Sequence, residues 1–131
     1  IRTSMKKFSI IFTGVMFLAF GIASIVDPIF VGSPVEYGLT SPISRIEFRA
    51  FYGGMELGLA AFFFYSLRHI RFQAPAILLQ ILFFVGCLFG RGIGLSIEKE
   101  YNSVLIWTAL AELFTVVIGI IALIEMRKNL A

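Results

Sequence analysis

Residues 8–26 read FSIIFTGVMFLAFGIASIV, nineteen positions without a charged side chain. An α-helix needs about 20 mostly apolar residues to cross the hydrocarbon core of a bilayer. In lipid the backbone amides have no water to bond, so a run like this has to be helical. Working outward, three further mostly apolar runs, each with one or two charged residues, follow at 48–67, 75–95 and 104–126. The pattern predicts four membrane spans.

Composition agrees. Hydrophobic residues make up 59% of the 131-residue chain and charged residues 15%, against about 45–50% and about 25% in ordinary globular domains. A soluble domain this small exposes a large share of its surface, so lipid must take up the apolar excess. The whole chain, 1–131, is expected to form one all-α domain.

The boundaries have local causes. Asp27-Pro28 ends the first run, because the residue before proline is pushed out of the α region. Ser44 and Glu47 have the spacing of a capping box, and Ser41 before Pro42 offers an earlier start. Pro75 suits the first turn of the third helix, and Asn102 or Ser103 can cap the fourth. The first run is too long for a signal-peptide core and lacks a small-residue cleavage site, so no cleavable leader is expected. Ile1 to Ser4 precede Met5 and read as an addition before the true start.

Charge placement gives direction. Arg2, Lys6 and Lys7 precede the first span, Arg68 and Arg71 join the second to the third, and Arg127 and Lys128 follow the fourth. The other two connections, with Asp27, Glu36 and Arg45 and with Glu98, Lys99 and Glu100, are net acidic. Basic short loops stay in the cytoplasm, which predicts N-in and C-in. Short connections predict an up-and-down four-helix bundle. The longer 27–45 segment is rich in Pro and Gly but also carries Ile29, Phe30, Val31, Val35, Tyr37 and Leu39, so it is expected to lie back over the bundle mouth.

Two small-residue rows, Ala50/Gly54/Gly58 and Gly86/Gly90/Gly94, have the spacing that lets helix backbones meet in lipid. They read as packing surfaces. The 15 phenylalanines read as core filling and lipid contact, and Cys87, the single cysteine, as a small packing residue.

Charges inside spans are costly, roughly 2.5–3.5 kcal/mol each at a helix centre, and so ask for a reason. Arg49 and Glu56 on the second span, Arg91 on the third and Glu112 on the fourth fall in the outer half of the bilayer. Arg49, Tyr52 and Glu56 share one α-helical face. Glu56 and Glu112 lie at matched depth, with the arginines nearer the outer surface. Three readings stand open: arginines snorkelling to the interface with neutral acids beneath them, a closed ion-pair network that fixes helix register, or a polar pocket open to the outer side. The inner half is expected to be nearly pure hydrocarbon packing.

Several chemistries lack their residues. His69, the only histidine, sits in a basic loop, so no His/Cys metal set is expected and no cofactor is implied. No Gly-rich phosphate loop precedes a helix. Ser9, Ser24 and Ser66 have no histidine at their depth for nucleophilic catalysis. The basic loops are too short to suggest nucleic-acid binding, though they can touch anionic lipid heads.

The stretch EFRAFYGG, Glu47 to Gly54, followed by Glu56 and Gly58, resembles the signature of a family of small bacterial four-helix membrane proteins. That family is catalogued as a domain of unknown function (the DUF4345 type), and is similar in layout to the DoxX-like proteins. The likeness covers nearly the whole chain, taking in Asp27-Pro28, the Gly90-Arg91-x-x-Gly94 element and Glu112. It implies a multi-pass protein of the bacterial cytoplasmic (inner) membrane and carries no activity with it.

The residues favour a non-enzymatic membrane protein. Arg49, Tyr52, Glu56, Arg91 and Glu112 are the candidate ligand-binding set, for a lipid, a small amphiphile or a partner membrane protein, with the arginines holding an anionic head. A small proton-coupled transporter working as a homo-oligomer through Glu56 and Glu112 is the alternative. A lipid- or quinone-modifying enzyme comes last, since no nucleophile or metal is available to it. No residue is expected to be catalytic.

Overall fold

The computed structural model describes residues 4–128; Arg2, and Ile1 to Thr3 of the suspected addition, lie outside them. Four helices are long and apolar enough to cross a membrane, and they form a bundle. Span 1 is Met5–Val26, span 2 Pro42–Arg68 and span 4 Ser103–Lys128. Span 3 is Gln73–Glu98, entered through a 3-10 turn at Ile70–Phe72. A short helix, Pro28–Gly32, and a 3-10 turn, Ser33–Val35, occupy the first connection.

Polar residues set the starts of spans 2 and 4. Span 2 starts at the earlier of the two expected points. Ser41 is its N-cap: Ser41 Oγ accepts from Ser44 N–H at 3.0 Å and Ser44 Oγ accepts from Ser41 N–H at 3.2 Å. The box is therefore closed by Ser44, not by Glu47, with Pro42 at the first helical position where its missing N–H costs nothing. Asp27 caps the short helix through Phe30 N–H at 3.0 Å. Asn102 caps span 4 through Leu105 N–H at 2.9 Å.

Span 2 is not regular. Arg49–Gly54 form a π-turn, in which Met55 N–H reaches five residues back to Ala50 O. Such turns insert one surplus residue into an α-helix. The resemblance motif therefore is the irregularity, a feature that side-chain periodicity alone does not reveal.

Span 1 packs extensively on span 2, span 4 on span 3, and span 1 on span 4. Met5 N–H donates to Glu125 Oε2 at 3.0 Å, so the beginning of span 1 and the end of span 4 share one face, the terminal face. That carboxylate sits where a helix N-terminus presents free N–H groups and positive dipole. The opposite, loop face carries residues 27–41 and 99–102; Asn102 Nδ2 joins the two by donating to Pro34 O at 3.1 Å. On the charge rule the terminal face is cytoplasmic.

The half of the bundle near the terminal face is not pure hydrocarbon. Ser9 Oγ donates to Gln80 Oε1 at 2.9 Å, and Gln80 Nε2 donates to the Thr115 carbonyl at 2.7 Å. Gln80 is 0% exposed and joins spans 1, 3 and 4. An amide in lipid needs such partners, because an unsatisfied polar group there has no water to turn to.

The two expected small-residue rows do not bring helices together. A Cβ on Gly58, Gly86, Gly90 or Gly94 would meet nothing within 4 Å, and on Gly54 only the Arg49 carbonyl of its own helix, at 3.9 Å. The glycines that permit close approach are others. A Cβ on Gly53 would run into Ile25 Cγ1, one on Gly21 would lie 3.1 Å from the Gly53 carbonyl, and one on Gly119 2.8 Å from Ile81 Cγ1. The π-turn is thus the place where span 2 crosses span 1. Spans 2 and 3 touch sparsely, and their named contacts lie at the connecting turn, with Phe62 and Tyr65 against Phe72. Towards the loop face that seam is open.

Candidate functional site

The open seam leads into a cavity of about 1500 Å³. Its floor is a phenylalanine cluster: Phe17 stacks on Phe84 at 5.6 Å between ring centroids and meets Phe83 edge-on at 5.2 Å. This cluster separates the cavity from the Ser9–Gln80–Thr115 node. The walls come from Met55 and Glu56 of span 2, Gly86, Cys87, Gly90 and Arg91 of span 3, and Thr108 and Glu112 of span 4. The open glycine row of span 3 is therefore cavity wall.

The first connection forms the roof, as its apolar residues lead one to expect. Val31, Pro34, Val35, Tyr37 and Leu39 line the cavity. Gly32 is buried against Tyr37 and Leu39, where a Cβ would stand 3.1 and 3.2 Å from their side chains. Tyr37 packs edge-on against Phe48 and its hydroxyl meets that of Tyr52 at 2.7 Å, while Tyr52 stacks on Phe48 at 4.6 Å. Arg45 secures the loop from outside, donating to the Leu39 and Thr40 carbonyls.

The five candidate residues separate into four and one. Tyr52, Glu56, Arg91 and Glu112 line the cavity. Arg49 does not: its Nε donates to the Ile25 carbonyl at 2.9 Å, capping the end of span 1. A cation is favourable there, because the last carbonyls of a helix are unpaired and carry its negative dipole. The shared face expected for Arg49, Tyr52 and Glu56 assumed an unbroken α-helix, and the π-turn between Arg49 and Gly54 removes that phase relation.

Arg91 and Glu112 form a two-pronged ion pair, Nη2 to Oε1 at 2.6 Å and Nε to Oε2 at 3.3 Å. The Arg91 side chain is 23% exposed and that of Glu112 8%. It is the one ion pair among the described residues. The matched acids and arginines thus give a single pair instead of a network. Glu56 is 9% exposed, lines the cavity and has no hydrogen-bond or ion-pair partner among the described residues.

The chain's family model matches residues 5–123, which spans all four helices and the whole cavity. The chain belongs to this family. It is described as a domain of unknown function, DUF4345, as the EFRAFYGG element implied. The four long apolar helices support a multi-pass membrane protein, and the family match brings no reaction with it. No curated protein and no solved structure matches the chain.

Sequence reasoning passed over three lining residues. Cys87, read as packing, is in the cavity wall; it lies four residues before Arg91, a spacing that places both on one helix face. Glu47, read from the sequence as part of a cap and of the EFRAFYGG stretch, is in the cavity lining. Tyr37 was placed in the roof without its link to Tyr52. Among the described residues, no three His, Cys, Asp or Glu side chains gather as a metal site would require.

Proposed function

We propose that this protein binds a single amphiphile from the membrane, its apolar body in the cavity and its polar head at the Glu56, Arg91 and Glu112 level. The observation that carries this reading is the cavity itself: about 1500 Å³, with aromatic and aliphatic walls and with Glu56, Arg91 and Glu112 in its lining, beside an open seam between spans 2 and 3. Binding sites for small molecules are typically concave, mostly apolar and furnished with a few convergent polar groups. Intramembrane charges facing a cavity mark such sites by default. The membrane is, on the family resemblance, a bacterial inner membrane, and the seam gives a lipid-borne ligand lateral access without passage through water.

Gly90→Phe tests the reading. A Cβ there meets nothing within 4 Å, so the new ring starts out into the cavity without displacing a neighbouring backbone. Wild type, solubilised mildly and analysed by native mass spectrometry, is expected to carry a bound amphiphile that the folded variant has lost. Equal retention by both, at unchanged melting temperature, would remove the cavity as the binding site.

A further inference from the structure

The head group of that amphiphile follows from the charges that remain available, and this inference rests on the binding reading above. The cavity is lined by three carboxylates, Glu47, Glu56 and Glu112, and by one guanidinium, Arg91. Arg91 pairs its charge with Glu112 through Nε and Nη2, two of its five N–H donors. Arg49, the second arginine expected to hold an anion, is turned away to the Ile25 carbonyl. No cation in the cavity is free. One carboxylate is: Glu56 is about nine-tenths buried and unpartnered among the described residues, in the wall of the space a ligand would enter.

A buried carboxylate with no partner is costly, and a partner that brings positive charge relieves the cost. An anionic head would add to the excess of acidic groups and would have to share Arg91 with Glu112. Aromatic rings reinforce the sign. Tyr37, Phe48 and Tyr52 crowd the mouth, and ring faces attract cations through the negative face of their quadrupole. We infer that the site selects amphiphiles with a cationic head, an ammonium group whose N–H donors or charge meet Glu56, with the tail on the Phe17/Phe83/Phe84 floor. Glu56 is then the specificity-determining residue, and the Arg91–Glu112 pair is a neutral wall.

An ammonium head can belong to an aminophospholipid of the bilayer or to a free amphiphilic amine, and the test separates them. The full chain is placed in dodecyl maltoside micelles, which carry no ammonium group, and alkylation of Cys87 by a small neutral maleimide reports occupancy, since Cys87 lines the same cavity and is the chain's only cysteine. Dodecylammonium and dodecyl sulfate, which share a tail, are titrated separately. Dodecylammonium is expected to protect Cys87 and dodecyl sulfate not to. Glu56→Gln should weaken that protection about tenfold, as expected for loss of one charge-assisted contact, while Glu56→Asp retains part of it. Protection in micelles containing phosphatidylethanolamine, with no amine added, assigns the bilayer lipid; protection by dodecylammonium alone assigns the free amine. Equal or stronger protection by dodecyl sulfate overturns the head-group assignment and leaves the binding reading intact. Protection by none of the three overturns both.

Discussion

Gln80 and Arg91 lie on the same helix and each reaches span 4, yet the two contacts belong to different kinds of structure. Around Gln80 a third helix closes the contact: Ser9 of span 1 supplies a donor, Thr115 of span 4 an acceptor, and the amide is sealed from its surroundings. Around Arg91 no third helix does so. Span 2 crosses span 1 at Gly53 and Gly21 and stands clear of span 3, so Glu56 looks onto empty space instead of into the Arg91–Glu112 pair. A polar group in the first setting fixes helix register. In the second it furnishes a wall.

This contrast can be broken most severely at the ion pair. Arg91→Leu leaves Glu112 without its partner and is expected to cost about 3 kcal/mol, the usual penalty for orphaning a buried charge. The Arg91→Leu/Glu112→Leu double variant should recover most of that loss in reversible detergent unfolding. A double variant as unstable as the two single losses combined would mean that the pair does more than neutralise itself.

The glycines sharpen the comparison at an intermediate scale. Gly53→Ala has to displace Ile25 and should cost about 1–3 kcal/mol, as overpacking does. Gly90→Ala enters open space and should change stability by less than about 0.5 kcal/mol, as uncoupled positions do. Thermal unfolding of the two variants side by side measures the difference; equal losses would mean that spans 2 and 3 close in the membrane. Gln80→Leu falls between those two glycine variants, at about 0.6 kcal/mol and at most about 1.7, as hydrogen bonds between membrane helices do. Its mark should be faster amide exchange around Ser9 and Thr115 with Cys87 alkylation unaltered.

Much of this was legible in the sequence because lipid imposes a coarse rule. Runs of about 20 apolar residues must become helices, and so four spans and a bundle follow from hydropathy alone. The cost of buried charge likewise picked out Glu56, Arg91 and Glu112 before any geometry. Spacing was a poorer guide to what stands opposite a face. The Gly86/Gly90/Gly94 row is small on one side, as its period says, but its neighbour is a cavity. Arg49 was misplaced because the π-turn leaves no trace in the pattern of residue types. Gln80, a lone amide in an apolar run, was the one overlooked signal for the node that joins three helices.

Because 3.6 residues complete an α-turn, each residue swings the side chains by roughly 100°, and the surplus residue in Arg49–Gly54 sets the two ends of span 2 about a quarter of a revolution out of phase. On the loop side of that offset Arg49 grips the end of span 1; on the other, Glu56 faces the cavity. The hexapeptide therefore works as a key cut to a fixed length. Shortened by one residue, the same side chains would still be present in the same order, but Glu56 would be turned out of the wall it now occupies.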